Sequence, residues 1–275
     1  MNNLIFNCPL ISSKSNNTVV EISKLSAKKH RMASKLFMCD GIKLFEEAFN
    51  SGNKIRYIIL DNEADVPADI AEKIKKAEAF GAKILCVAEH VFEKLTSENA
   101  PQGIITVCEF FEGKHSFSAI VENEDIAEKT VVALESVRDP GNMGTIIRNA
   151  VAFGIDTLII SSDCADIYSQ KVIRASMGGL FKINIRIVDS LVDTVKNLIK
   201  SGRRVLAAAL DDNAKILGKE SISGEDVVVL GNEGHGISDE LLTVCTDKLL
   251  IPMKGETESL NVAMASAIIM WEISK

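Results

Sequence analysis

The sequence predicts an α/β protein in two parts, and two observations predict it. Segments rich in Val, Ile and Leu alternate with amphipathic helical segments along most of the 275 residues. In the second half the apolar segments are continuous, which is typical of a parallel sheet covered by helices on both faces. The length, with 47% hydrophobic residues, suffices for one large or two ordinary domains.

Residues 1–112 are predicted to form the first domain. Its N-terminus, MNNLIFNCPLISSKSNN, lacks the positive region of a signal peptide and is predicted to be a strand or an arm. Residues 17–37 have the apolar spacing of a helix among basic residues. Three predicted strands follow, in IRYIIL, AKILCV and GIITVCEF, and the predicted helices are GIKLFEEAFNSG, PADIAEKIKKAEAFG and AEHVFEKLT.

Residues 113–129 are polar and predict a linker, and residues 130–275 are predicted to form the second domain. Its predicted strands are in TVVALESV, DTLIIS, INIRIV, RRVLAAAL, DVVVLG and KLLIPM. Its predicted helices are GTIIRNAVAFG, SQKVIRASMGGLF, LVDTVKNLIKSG and SLNVAMASAIIMWEIS. The alternation of the two kinds of element indicates βα units in a parallel sheet.

The cysteine spacing and the length of the apolar stretches indicate the cellular compartment and whether a metal site is expected. None of the six cysteines lies in a C-x-x-C pair, so reduced, buried thiols are expected rather than disulfides or a zinc site. No apolar stretch approaches the roughly 20 residues that span a bilayer. These observations predict a cytoplasmic protein with no membrane partner and no metal.

The charge is unevenly distributed along the chain. The whole chain has a net charge of −7, which argues against wholesale electrostatic binding of nucleic acid. Residues 1–60, in contrast, hold nine Lys and Arg residues against four acids. A basic front on an acidic protein is consistent with a polyanionic partner, but a solvated helix face explains it equally well.

Three segments place unusual polar residues after predicted strands, where parallel α/β sheets bind ligands. In RDPGNMGTIIRNA, Asn142 is predicted to cap a helix, and Arg148 lies off its buried stripe. In IPMKGETESLNVAMASAII, Ser259 is a plausible N-cap, whereas Asn261 inside an apolar helix would need a hydrogen-bond partner. The third segment, LGNEGHGIS, lies between these two in the sequence.

LGNEGHGIS permits two further interpretations when it is taken alone. A glycine-rich turn after a strand suggests a phosphate loop, but the spacing is G-x-x-G-x-G and no lysine follows. Glu233 would also repel a phosphate. Glu233 and His235 are only two candidate metal ligands, with no clear third nearby. Each interpretation is therefore weak.

Together the three segments resemble a known family. N-x-G-x-x-x-R, G-N-E-G and I-P-M…E-S-L-N-V-A occur in this order, each after a predicted buried strand. In this respect residues 130–275 resemble the SpoU (TrmH-type) RNA ribose 2′-O-methyltransferases of the SPOUT superfamily. AKKHRMASKLFMCDGIKLFEEAFNSG resembles the family's N-terminal RNA-binding domain, which has a ribosomal-protein-like α/β fold. It departs at MCDG, where a VEG-like stretch is usual.

The resemblance implies a fold, a cofactor and an assembly. It implies a C-terminal trefoil knot, whose backbone at Gly231, Ile251 and Leu260 would bind S-adenosylmethionine. It also implies a homodimer formed through the C-terminal domain, for which the apolar last helix is suited. The implied catalytic set is Asn142, Arg148, Glu233, Ser259 and Asn261.

The expected role of Arg148 is to position the substrate and stabilise charge, since arginine is essentially never deprotonated in proteins. Asn142 would bind near the ribose hydroxyl, and Ser259 and Asn261 would support the pocket. Glu233 would pair with an arginine, either Arg148 or one of a partner subunit.

Three alternatives to a ribosomal-RNA methyltransferase stay open at this point. The first is a transfer-RNA ribose 2′-O-methyltransferase, although the two-domain layout resembles ribosomal-RNA enzymes more. The second is a non-catalytic RNA-binding relative, which has no need of all five polar residues. The third is a nucleotide-binding oxidoreductase, which the glycine spacing argues against.

Overall fold

A computed structural model describes residues 1–118, 120–121, 126, 129–211, 213–255 and 259–275. It divides into two compact units. The first unit comprises Met1–Phe111 and Asp166–Phe181, and the second comprises Glu112–Ala165 and Lys182–Lys275. The domain boundaries expected from the sequence stay a prediction. Within the expected linker, residues 119, 122–125 and 127–128 lie outside the described residues, and His115–Ser118 form a strand.

All nine strands predicted from the apolar pattern are present, and the structure adds further helices and strands that the pattern did not indicate. The helices are α1 (Asn2–Ile5), α2 (Asn17–Ser23), α3 (Lys28–Ser34), α4 (Ile42–Asn50), α5 (Ala68–Ala79), α6 (Glu89–Leu95), α7 (Pro140–Ala152), α8 (Gln170–Ala175), α9 (Leu191–Lys200), α10 (Asp239–Val244) and α11 (Val262–Ile273). The strands are β1 (Leu10–Ile11), β2 (Leu36–Asp40), β3 (Ile55–Asp61), β4 (Lys83–Val87), β5 (Ile104–Glu109), β6 (His115–Ser118), β7 (Val131–Leu134), β8 (Thr157–Ser161), β9 (Asn184–Val188), β10 (Val205–Ala208), β11 (Lys215–Ile216), β12 (Val227–Leu230) and β13 (Asp247–Leu250).

The first unit is built on a five-stranded mixed sheet in the order β1-β4-β3-β5-β2. Strands β1, β4 and β3 are parallel, whereas β5 runs antiparallel to both of its neighbours. One face of the sheet packs against α2 and α6 in a core whose buried members are Val19, Ile22, Leu25, Met38, Ile59, Val87, Val91, Phe92, Leu95, Ile105 and Val107. The predicted α/β character of this part is confirmed.

The single helix predicted over residues 17–37 is wrong. Helix α2 ends at Ser23, a 3-10 turn follows, and α3 ends at Ser34. Lys35 then adopts a left-handed conformation with φ of 55°, which ends the helix and starts β2. Pairing of β2 with β5 buries Phe37 and Met38, so tertiary burial outweighs the local helical pattern.

The expectation that all cysteines are free is also wrong. Cys8 and Cys86 form a disulfide with a Cα–Cα distance of 6.4 Å. The cause is the parallel pairing of β1 with β4, which places Leu10 beside Cys86 and so brings Cys8 close to it. The two cysteines are 78 residues apart in the sequence, so no local pattern indicated the pair. The other four cysteines are free.

The segment Asp166–Phe181 packs in the first unit, although the sequence predicts it in the second domain. The ring of Tyr168 stacks on Phe110 at a centroid distance of 3.7 Å, and the ring of Phe181 meets that of Phe111 at 5.5 Å. Asp166 forms an ion pair with Arg31 at 2.5 Å. Aromatic packing and a buried ion pair therefore tie the segment to the first unit.

The second unit contains an eight-stranded sheet in the order β11-β13-β10-β12-β7-β8-β9-β6. Every pair of neighbours in it is parallel, as the continuous apolar segments predict. Leu134 at the end of β7 pairs with Leu230 at the end of β12, so the segments that follow these strands emerge side by side. The described residues include no helix with the length and apolar character needed to cross a bilayer.

Candidate functional site

The segment after β12 is a tight loop closed by its own backbone. The N–H of Asn232 donates to the carbonyl of Gly236, and the N–H of Gly236 donates to the carbonyl of Asn232, both at 2.9 Å. The side-chain oxygen of Asn232 accepts from the N–H groups of Gly234 and His235. The chain therefore doubles back on itself immediately after the strand.

Gly231 is the residue at which this loop leaves no room for a side chain. A Cβ atom there would lie 2.4 Å from the carbonyl carbon and oxygen of Gly236 and 2.5 Å from the nitrogen of Ile237. These are backbone atoms, which cannot rotate away. In contrast, a Cβ at Gly234 would have its nearest contact at 3.4 Å, with Asn232. The glycine at position 231 is thus needed for close packing of the loop.

Three predicted site residues from different segments form one hydrogen-bonded chain. The side-chain amide of Asn142 donates from Nδ2 to Oε1 of Glu233 at 2.5 Å. Its Oδ1 accepts from Nδ2 of Asn261 at 3.1 Å. Strands β7, β12 and β13 precede these residues, and all three strands belong to the parallel sheet. We call Asn142, Glu233 and Asn261 the amide–carboxylate cluster.

The capping roles predicted for two of the residues are wrong. Helix α7 is capped by Asp139, whose carboxylate accepts the N–H of Asn142 at 2.8 Å. Helix α11 is capped by Asn261, whose Oδ1 accepts the N–H of Ala263 at 2.9 Å. Ser259 is therefore not the cap, and Asn261 does not lie inside the helix. Capping by Asp139 leaves the amide of Asn142 available to the cluster.

Arg148 lies on α7, two turns into the helix, and is exposed. Its side chain makes no hydrogen bond or ion pair with any residue in the described part of the chain. The predicted pairing of Glu233 with Arg148 is therefore wrong within this chain, since Glu233 binds the amide of Asn142 instead. The pairing of Glu233 with an arginine of a second subunit stays a prediction.

A cavity of about 430 Å³ opens between the loop after β12, the segment after β13 and the start of α11. Gly231, Ile251 and Leu260 all line it, as do Glu233 and Ser259. The backbone N–H and C=O groups of Gly231, Ile251 and Leu260 have no hydrogen-bond partner among the described residues. Residues 256–258, in the segment IPMKGETESLNVAMASAII, lie outside those described.

The cavity fits a nucleoside-containing cofactor of the size of S-adenosylmethionine. Its volume lies within the usual range for small-molecule sites. Apolar walls such as Leu210, Leu242, Leu249 and Met253 suit an adenine ring, and the unpartnered backbone groups can specify its polar edge. The described residues contain no group of three or more His, Cys, Asp and Glu side chains placed to hold a metal ion.

Sequence reasoning missed five residues whose hydrogen bonds join the loop, the segment after β7 and the segment after β8. The side chain of Asn232 donates to the carbonyl of Ser136 at 2.8 Å. Glu135 accepts from both the N–H and the hydroxyl of Ser238 at 2.7 Å. Asp163 accepts from the hydroxyl of Ser136 at 2.6 Å. For Glu135, Ser136 and Asp163 the signal in the sequence was the polar runs ESVRD and SSDCAD at the ends of two adjacent strands, whereas Asn232 and Ser238 belong to LGNEGHGIS.

Burial and hydrogen bonding act in opposite directions on Asp163. Burial raises the pKa of its carboxyl, but hydrogen bonds from Ser136, Ser161 and Arg138 prevail and lower that pKa to about 2. Asp163 is consequently a carboxylate at neutral pH and accepts hydrogen bonds through both oxygens.

Two family models match the chain, one in each half. Residues 129–271 match the SpoU rRNA Methylase family, and residues 16–106 match the MRM3-like substrate binding domain. The first match includes every residue of the amide–carboxylate cluster. The two matches together cover both α/β parts that the sequence predicts.

Individual relatives resemble the chain over nearly its whole length. It is 31% identical to the 23S rRNA (guanosine(2553)-2′-O)-methyltransferase RlmP of Bacillus subtilis, with 96% of this chain and 98% of RlmP covered. The structure of an AdoMet-bound rRNA methyltransferase from Sinorhizobium meliloti superposes with a TM-score of 0.82 at 31% identity, covering 96% of each chain. The fold also matches the SpoU methyltransferase AviRb from Streptomyces viridochromogenes, with a TM-score of 0.79 at 24% identity, over 94% of this chain and 97% of AviRb.

Proposed function

The chain belongs to the SpoU rRNA methylase family and is an S-adenosylmethionine-dependent RNA ribose 2′-O-methyltransferase, and on this premise we propose how its residues act and on which RNA. The proposed substrate is a ribose 2′-hydroxyl of 23S ribosomal RNA. The observation that carries the proposal is the amide–carboxylate cluster, which shares Glu233 with the cavity that fits the cofactor.

The proposed cofactor-binding residues are Gly231, Ile251 and Leu260, through their unpartnered backbone groups. When bound, S-adenosylmethionine supplies an electrophilic methyl group on a positively charged sulfur. Gly231 allows the loop to close against the cavity without a side chain in the way. Ser259 lines the cavity and supports the same wall.

Asn142 is proposed to orient the ribose hydroxyl. One N–H of its amide is held by Glu233, and one lone pair of its oxygen is held by Asn261. A primary amide has two N–H donors and two acceptor positions, so one of each stays available to a substrate hydroxyl. Because both ends of the amide are held, the amide needs little reorganisation when the substrate binds.

Arg148 is proposed to position the substrate and to stabilise the negative charge that develops on the ribose oxygen. Arg148 is exposed and its guanidinium makes no hydrogen bond or ion pair with another described residue, so it is available to a substrate phosphate and to that oxygen. Arginine stays protonated in proteins, which excludes it as the base that removes the hydroxyl proton. A fixed positive charge lowers the barrier without accepting a proton.

The test of the function uses the purified full-length chain with two unmodified transcripts, 23S ribosomal RNA and a pool of transfer RNAs. Transfer of labelled methyl from S-adenosylmethionine is followed, and the modified nucleotide is identified by mass spectrometry. The proposal expects a 2′-O-methyl group on the 23S transcript. Methylation of transfer RNA alone would refute the substrate, and methylation of a base would refute the reaction.

A 23S target is favoured over transfer RNA by the extent of the match. RlmP, named as a 23S rRNA methyltransferase, aligns over 98% of its length and so over both parts of this chain. Residues 16–106 also match a substrate-binding domain. Such RNA is in the cytoplasm of bacteria, which is where we propose that the protein acts.

We further propose a homodimer formed through the second unit. Met264, Ile268 and Trp271 are exposed on α11 at the spacing of one helix face, and Trp271 contacts Phe153, the residue that follows α7, with a ring-centroid distance of 6.0 Å. Such an apolar stripe is typical of a protein interface.

Light scattering should give twice the chain mass, and the double variant M264E/I268E should give a monomer. A monomeric wild-type protein at micromolar concentration would refute the dimer. The trefoil knot stays a prediction.

A further inference from the structure

Arg138 lies in the segment that connects β7 to α7 and has no role in the reaction as described so far. Next to it, Asp139 caps α7 through the N–H of Asn142, the central residue of the amide–carboxylate cluster. Two residues before it, the carbonyl of Ser136 accepts from Asn232 in the loop that carries Glu233. Hydrogen bonds thus connect both sides of Arg138 to the residues that act on the ribose.

The backbone that carries Arg138 is held firmly. The N–H of Ser136 donates to the hydroxyl of Ser161 at 2.9 Å, and the carbonyl of Val137 accepts the N–H of Ala165 at 2.9 Å. The side chain of Val137 is fully buried. Ser136 itself adopts a left-handed φ of 54°, which is uncommon for a residue other than glycine. Such strain persists only where the surroundings determine the conformation.

The guanidinium of Arg138 is exposed but oriented. Its Nη2 donates to Oδ2 of Asp163 at 2.8 Å, while the arginine side chain is 68% exposed and that of Asp163 is 43% exposed. An ion pair this exposed contributes little to stability. Of the five N–H donors of a guanidinium, this is the one bond to a described residue, so the other donors face solvent.

Asp163 keeps hydrogen bonds without the arginine. Its Oδ1 accepts from the hydroxyl of Ser161 and its Oδ2 from that of Ser136, both at 2.6 Å. The carboxylate can thus hold one edge of the guanidinium while the opposite edge binds a second anion. It could equally release the guanidinium and stay hydrogen-bonded to both serines.

We propose that Arg138 is a positioning residue that binds a phosphate diester of the RNA next to the methylated ribose, with Asp163 orienting it. This proposal rests on the proposed function and specifies how the same site holds its RNA. A planar guanidinium with free adjacent donors matches the paired oxygens of a phosphate. Helix α7 carries no acid, and its one charged residue is Arg148, so nothing on that helix repels the backbone of RNA.

The net charge of the second unit favours a role for exposed cations at its RNA-binding site. Residues 112–165 and 182–275, which form this unit, hold 23 Asp and Glu residues against 15 Lys and Arg residues, so the unit is acidic. A polyanion that approaches an acidic surface needs cations at the point of contact. Arg138 and Arg148 are exposed cations on either side of Asn142 in the sequence. Each would offset part of the repulsion between this unit and the RNA backbone.

The test compares Arg138→Ala with a control that removes a similar ion pair elsewhere in the second unit. Lys196→Ala is that control, since Lys196 lies on α9 and pairs with Asp193 at 3.6 Å with 47% of its side chain exposed. Methyl transfer to the 23S transcript is measured at several salt concentrations. Titration of S-adenosylmethionine into each variant checks that the fold and the cavity persist.

Arg138→Ala should raise KM for the RNA about tenfold and leave kcat within about twofold, because one charge-assisted contact to phosphate is lost. The slope of log KM against log salt should fall in magnitude by about 0.7–0.9, the contribution of one phosphate. Arg138→Lys keeps the charge and should keep the salt slope, with an intermediate KM. Lys196→Ala should match the wild type.

An Arg138→Ala variant with the wild-type KM and salt slope, or one no weaker than Lys196→Ala, would overturn the inference. If the alanine variant fails to bind S-adenosylmethionine, Arg138→Gln carries the same expectations with less change in shape. A wild-type protein that methylates no RNA would overturn the proposed function instead. The two failures are therefore distinguishable.

Discussion

Arg31 in the first unit and Arg148 in the second have opposite surroundings. Arg31 is 5% exposed and donates to the carbonyls of Leu25 and Ser26 and to the carboxylate of Asp166. Arg148 is exposed and has no partner among the described residues. A buried cation with every partner inside its own unit serves the fold. An exposed cation on the helix that carries Asn142, with no partner of its own, is available to a ligand.

The difference corrects an expectation about the basic front of the chain. Arg31 is one of the nine basic residues counted in residues 1–60 as a possible contact for a polyanion. Burial removes it from that count, whereas Lys28 and Lys29 on the same helix are exposed. Net charge by itself does not separate cations that stabilise a fold from those that meet a partner. Burial and partner lists separate them.

The largest expected effect tests Arg31 as a structural residue. Arg31→Ala should lower the free energy of unfolding by about 3–5 kcal/mol, because it leaves the carboxylate of Asp166 without its cation. Urea unfolding followed by circular dichroism measures it. Fluorescence of the single tryptophan, Trp271, reports the second unit in the same samples.

Lys29→Ala on the same helix is the matched control. Lys29 is exposed, so its loss should change the free energy of unfolding by less than about 0.5 kcal/mol. If Arg31→Ala were no less stable than Lys29→Ala, the buried pair would not support the fold. Arg31 would then not be a structural residue, and the contrast with Arg148 would be lost.

The second expected effect tests Arg148 as a functional residue. Arg148→Ala should lower the turnover by about 10²–10³, the usual loss when one group that stabilises a developing anion is removed. Its thermal midpoint should stay at the wild-type value, since no contact is broken. The dissociation constant of S-adenosylmethionine should also stay unchanged. Turnover near that of the wild type, measured on the 23S transcript, would remove Arg148 from the mechanism.

The sequence predicted the sheet of the second unit and the location of its site residues, but not the contacts between residues that are far apart in the chain. The continuous apolar strands of the second unit and the three motifs after them indicated the parallel sheet and the residues at its carboxyl ends. The amide–carboxylate cluster joins residues that are up to 119 positions apart, so its hydrogen bonds could not be read from any local pattern.

The failures of prediction have a common physical cause. Asp139, Asn142, Ser259 and Asn261 are all good caps, so type and position could not decide which of them caps a helix. The disulfide and the ion pair of Arg31 likewise depend on strand pairing and on the packing of Asp166–Phe181. Tertiary contacts select among options that local sequence leaves equal.

A third prediction concerns the cavity of the second unit. Gly231→Ala should weaken binding of S-adenosylmethionine by about tenfold or more, because overlap with fixed backbone costs about 1–3 kcal/mol. Gly234→Ala in the same loop is the control, since its Cβ would have an ordinary contact at 3.4 Å. Calorimetric titration of S-adenosylmethionine into both variants tests this prediction. Equal affinities would show that the loop yields easily and that Gly231 does not shape the cavity.

The smallest expected effect tests whether the ion pair of Arg138 and Asp163 stabilises the fold, as that of Arg31 does, or leaves the arginine available to a ligand, as Arg148 is. The folded pKa of Asp163, lowered to about 2, lies below the unfolded value of about 4. Its contribution to stability is therefore present above about pH 4 and is lost as the pH falls toward 2. Because its side chain is 43% exposed, solvent screening should limit the contribution to less than about 1 kcal/mol.

Asp163→Asn should remove that part of the pH dependence. The free energy of unfolding of the wild type minus that of the variant, measured from pH 5 to pH 2, should shrink as the pH falls. A difference as large as the effect of Arg31→Ala would make this pair a second structural ion pair. Arg138 would then belong with Arg31, and its exposed donors would no longer argue for an RNA phosphate. A small difference would place Arg138 with Arg148, among the cations available to the substrate.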